Sequence, residues 1–157
     1  MEKLISTGDY NFYTMLKQIL LDLELANNEC WWLISDIDAY PRKKEYEDLI
    51  YKDEYALFTT SQLMTMLNDD DFQWVWAVFS AIPLKYSRED ILKYDLPQIQ
   101  IIDKGEYNPY FDEPRLQNPL AEFELYAVDS TCMFIVTDNV ELIERFKKKY
   151  PSLTTEF

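Results

Sequence analysis

Residues 72–82 (FQWVWAVFSAI) contain no charged side chain and are dense in aromatic and β-branched residues. That composition favours an extended chain. Helix is the rival reading, but Asn68-Asp69-Asp70-Asp71 in front and Pro83 behind bound the stretch at strand length. We read it as a buried central strand, around which the other elements must be arranged. Period-2 geometry then places Trp74 and Trp76 on one face, with Val75 and Ala77 on the other. The four Trp (31, 32, 74, 76) invite a ligand-cage reading, but their setting inside apolar strands assigns them to the core.

The rest of the chain alternates helical and extended patterns without a βαβ rhythm, an internal repeat or a Gly/Ser linker. Residues 11–26 predict a helix, because Phe12, Leu16, Ile19, Leu20 and Leu23 make one apolar stripe; Asn27-Asn28 ends it. Residues 30–35 predict a strand closed by Tyr40-Pro41. Residues 42–54 read as a loop or a short exposed helix, and residues 55–59 as a second strand. Thr60 or Ser61 is expected to cap a short helix through Leu67, with Leu63, Met64 and Leu67 pointing inward. Ser87-Arg88-Glu89-Asp90 resembles a capping box opening a helix through Tyr94. Residues 99–102 are expected to form a strand, and residues 103–119 an irregular segment interrupted by Gly105, Pro109, Pro114 and Pro119. Residues 123–128 and 132–136 pair as a hairpin around Asp129-Ser130-Thr131. Asp138 with Glu141 reads as a second capping box, opening a final helix that buries Val140, Ile143, Phe146 and Tyr150. Its Lys147-Lys148-Lys149 end opposes the negative pole of the helix dipole. The expected class is α+β: a single domain with a mixed or antiparallel central sheet flanked by helices, ending in a β-hairpin followed by a helix.

Residue usage narrows the chemistry. The 157 residues include no His, two Cys and two Gly. A Ser-His-Asp or Cys-His mechanism therefore lacks its base, and a phosphate-cradling glycine loop lacks its glycines. Two isolated Cys in apolar runs read as buried thiols, neither a disulfide framework nor a zinc site. Asp36-Ile37-Asp38 and Asp69-Asp70-Asp71 have the oxygen ligands that hold Mg²⁺ or Ca²⁺, but the EF-hand pattern is missing, and acidic turns commonly have no ligand. No cofactor or metal is expected, and no catalytic residue is assigned. The N-terminus lacks a signal-peptide pattern and no apolar segment reaches about 18 residues. The expected compartment is the cytoplasm.

Asp and Glu number 29 against 15 Lys and Arg, a formal charge of −14. Such a surface repels nucleic acid and anionic lipid and accelerates encounters with basic partners, although solubility alone is a common reason for acidity. Neither nucleic acid nor membrane is expected as a direct partner. The candidate partner-binding segment is residues 103–115 (DKGEYNPYFDEPR). There Glu106, Asp112 and Glu113 interleave with Tyr107, Tyr110 and Phe111 in a Pro-stiffened stretch. Aromatic anchors beside carboxylates suit a basic protein surface. The competing arrangement tucks the rings over the sheet edge and leaves the acids solvated.

Three stretches taken together, YALFTTSQLMTML at 55–67, DFQWVWAVFSAIP at 71–83 and NPLAEFELYAVDSTCMFIV at 118–136, resemble small bacterial immunity proteins of polymorphic toxin systems. The resemblance implies an acidic, non-enzymatic α+β protein that neutralises a toxin by occluding its active surface. Glu122, Glu124 and Asp129 match its polar signature, and they would equally serve to stabilise the hairpin. The leading expectation is an inhibitor of a basic toxin, a nuclease for instance. The alternative is a phage-encoded anti-defence protein that inhibits a nucleic-acid-binding effector by mimicking DNA, and competition with DNA separates the two. A carboxylate- or metal-dependent enzyme is the third reading.

Overall fold

The structure, a computed structural model, describes residues 1–7, 14–102 and 113–154. In chain order the elements are β1 (Glu2–Thr7), α1 (Leu16–Asp22), β2 (Trp31–Tyr40), α2 (Lys44–Ile50), β3 (Tyr55–Thr59), α3 (Thr60–Asp69) and β4 (Gln73–Ile82). They continue with α4 (Arg88–Ile91), a 3-10 turn (Gln100–Ile102), β5 (Phe123–Val128), β6 (Cys132–Thr137), α5 (Val140–Lys149) and β7 (Leu153–Thr154). The strands form one sheet in the order β3-β2-β4-β5-β6-β1-β7, and every pairing is antiparallel. The protein is α+β, with the expected hairpin followed by a helix at its C-terminal end.

Alternation along the strands sorts the side chains onto two faces. Trp32, Ile34, Phe79, Phe123, Leu125 and Ile135 point to one, where they meet Leu16, Ile19 and Leu20 of α1, Ile50 of α2, Leu63 and Leu67 of α3, and Phe146 of α5. The opposite face carries Leu33, Val78, Ile82, Tyr126 and Phe134. It is covered by the described parts of the long β4–β5 connection, through Ile91 of α4, Ile99, Leu116 and Ala121. Both faces are therefore dry, which explains why β5 and β6 are buried at every position.

Two irregularities break the alternation. Asp36 and Ile37 of β2 stand opposite the single residue Ala77, because the pairing jumps from Ser35↔Val78 to Asp38↔Trp76. Asp36 sits at φ +52° there, a region Asp tolerates better than most residues. In β4, Val75 falls between the pairs Asp38↔Trp76 and Ala39↔Trp74. Its insertion puts Trp74 on the helix-covered face and Trp76 on the other, so the two rings do not share a face as the period-2 reading has it.

Other sequence expectations are also corrected. Helix α1 ends at Asp22, not at residue 26, with Glu24 in the left-handed region at φ 58°, and residues 11–13 of the predicted helix lie outside the described residues. Thr59, not Thr60 or Ser61, caps α3: its hydroxyl accepts from the Gln62 N–H while the Gln62 side chain accepts from the Thr59 N–H. Met66 is buried in α3, whereas Met64 is only partly so. Helix α4 has the expected Ser87–Asp90 capping box but stops at Ile91. The cap of α5 is Asn139, whose side chain accepts from the Leu142 N–H. Asp138 instead pairs with the amino terminus. Val140 is 71% exposed, and α5 buries Leu142 in addition to Ile143 and Phe146. Strand β1 is not announced by the sequence, because Glu2 and Lys3 interrupt its apolar pattern.

Candidate interaction site

Of the candidate partner-binding residues, Glu106, Tyr107, Tyr110, Phe111 and Asp112 lie outside the described residues. Glu113 is exposed at the start of the returning arm. The flanking arms are held to the sheet by two carboxylates and an amide. The backbone N–H groups of Ile99 and Gln100 donate to Asp36 Oδ2 (2.6 and 2.7 Å), and Gln100 Nε2 donates to Asp36 Oδ1 at 3.0 Å. This capture turns the chain into the 3-10 turn, and residues 99–102 are not the strand that their apolar pattern suggests. The Ser35 hydroxyl donates to the Pro97 carbonyl (2.7 Å). Gln117 clasps the outgoing arm, since its Oε1 accepts from Gln98 N–H (2.9 Å) and its Nε2 donates to the Gln98 carbonyl (2.8 Å).

Glu124 of β5 fixes the returning arm. Its side chain is fully buried, a position that carboxylates occupy only when satisfied. Oε1 accepts from Ser80 Oγ (3.0 Å) and Asn118 N–H (2.9 Å), and Oε2 accepts from Gln117 N–H (2.9 Å) and the Tyr126 hydroxyl (2.6 Å). Burial pushes the carboxyl above its ordinary value, against the pull of these donors. Of the three signature residues, Glu124 is thus structural. Glu122 is exposed, and Asp129 occupies the β5–β6 turn with Ser130, both at positive φ (47° and 60°), as a primed hairpin turn requires.

The other candidate groups are engaged inside the fold. Burial pushes the Cys30 and Cys132 thiols up to about 11 each, which leaves them little thiolate at neutral pH. Asp70 accepts from the backbone N–H of Arg42 and Lys43 (2.8 and 3.0 Å), and Asp69 accepts from Lys43 Nζ and the Tyr46 hydroxyl (2.7 Å each). Among the described residues no group of three or more His, Cys, Asp or Glu is arranged to hold a metal ion. Trp32 and Trp74 are fully buried, and Trp32 Nε1 donates to the Thr60 hydroxyl at 3.0 Å. No described helix is long and apolar enough to cross a membrane.

Six of the fifteen cations are also taken up locally. Arg42 pairs with Asp70, Lys43 with Asp69, Lys44 with Asp48, Lys93 with Asp90, Arg145 with Glu24 and Glu141, and Lys147 with Glu2 and Glu144. With acids nearly twice as numerous as bases, the surplus is carboxylate on a doubly covered sheet. Comparison with protein-family models, curated proteins and solved structures finds no match for this chain.

Proposed function

We propose that this chain is a non-catalytic acidic binding protein, an immunity-type inhibitor that neutralises a basic toxin by occluding its active surface. The observation that carries the reading is the formal charge of −14, 29 acids against 15 bases, six of those bases being paired with neighbouring acids among the described residues. Uncompensated carboxylates steer a basic protein into encounter and disfavour anionic competitors. Support also comes from the anchoring of Gln98, Ile99, Gln117 and Asn118, which holds the described chain on either side of the acidic-aromatic segment proposed as the contact. Occlusion needs no bond chemistry from the inhibitor, so the absence of His is no handicap to it.

The test is binding to a basic toxin domain encoded beside this chain, measured as ionic strength rises. Tight binding at low salt that weakens as salt is added is expected, and no binding at low salt overturns the proposal. Reversing Glu106, Asp112 and Glu113 to Lys is expected to slow association by about tenfold or more while changing dissociation little. Unchanged kinetics would move the contact to another surface.

A further inference from the structure

Strand β2 runs five residues beyond Ser35, the last residue paired with β3, so among the described residues none pairs with 36–40 as a strand on that side. Tyr51, just after α2, occupies part of the gap. Its hydroxyl accepts from the Ala39 N–H (2.9 Å) and donates to the Ala39 carbonyl (3.1 Å), engaging both main-chain groups that Ala39 turns to the edge. Strand addition at Ala39 is thereby blocked, and what the edge offers a partner is side-chain surface. Tyr51 stays 45% exposed and Tyr40 is 62% exposed, and neither ring joins an apolar cluster.

The surroundings set the sign of the occupant. Asp38 and Glu47 both act on the Tyr51 hydroxyl, which burial and these carboxylates hold above its ordinary value. Neither makes an ion pair among the described residues. Arg42, Lys43 and Lys44 are committed to Asp70, Asp69 and Asp48. Lys52 is followed directly in the chain by Asp53 and Glu54. A guanidinium matches the combination, since it stacks on a tyrosine face and forks to a carboxylate.

We propose that Asp38, Tyr40, Glu47 and Tyr51 form a docking surface for an arginine-bearing segment of a protein partner. The proposal rests on the binding reading above and adds a second, independent surface to it. The probe is a capped nona-arginine peptide, titrated at low salt into the isotopically labelled chain and followed by amide NMR. Shifts concentrated at Ala39, Tyr40, Glu47 and Tyr51 are expected. The variant Tyr40→Ala with Asp38→Asn, which touches no apolar cluster, should keep the remaining spectrum and bind the peptide about fivefold more weakly. Shifts spread evenly over the acidic surface, or unchanged affinity in the variant, overturn this surface while the binding reading stands. Failure to bind any basic toxin overturns both.

Discussion

Glu124 shows how far a single residue's role is from its place in the sequence. Its four donors come from β4, β5 and the returning arm, so the residue type is legible in the chain but the network is not. Each carboxyl oxygen accepts one backbone N–H, so a Gln there must turn its NH₂ toward a backbone donor. Glu124→Gln is expected to destabilise the fold by about 1–3 kcal/mol in urea unfolding. The pH dependence follows from the raised carboxyl value. Since the folded value exceeds the unfolded one, the contribution is complete below the unfolded value and is lost as pH rises through the folded one. Asp90, lowered first by the Ser87 N–H, and Asp69, lowered first by Lys43, act in the opposite sense, with contributions lost as pH falls. NMR titration of the Glu124 carboxyl carbon should give a midpoint above 4.5, its ordinary value. Asp129 sits at φ 47°, where a Cβ costs roughly 1–2 kcal/mol and glycine's added entropy returns about half of that. Asp129→Gly is expected to raise stability by about 0.5–1 kcal/mol, read from the urea midpoint.

Elements were most legible where pattern and punctuation agree, as in β3, the β5–β6 hairpin and the central strand β4. Legibility failed where a distant group redirects the backbone. The inserted Val75 sends Trp74 and Trp76 to opposite faces, and its carbonyl accepts from the Ser130 N–H in the hairpin turn, 55 positions along the chain. Asp36 bends residues 100–102 into a 3-10 turn that their apolar run does not announce. Of the candidate contact residues only Glu113 falls among those described, so the acidic-aromatic segment remains a reading of its residue types. Cap choice, by contrast, is a local matter: Asp138 and Asn139 both suit an N-cap, and the hydrogen bond to Leu142 distinguishes them. Asn139→Ala should therefore lower thermal stability by about 1 kcal/mol. Asp138→Ala, which removes only an ion pair to the amino terminus, should lower it by less.

At the scale of the whole molecule, a charge of −14 repels itself in the compact state and attracts basic partners in solution, and salt weakens both effects. The unbound chain should melt at a higher temperature as NaCl rises from low to moderate concentration, a trend calorimetry reads directly. The same screening should slow encounter with a basic partner, so one added ion acts in opposite directions on fold and complex. Stopped-flow association of the chain with a basic toxin domain across a salt series is the most direct test of recognition by surplus carboxylate. The account predicts an association rate that falls steeply with ionic strength and a dissociation rate that stays nearly constant. An association rate indifferent to salt would contradict it.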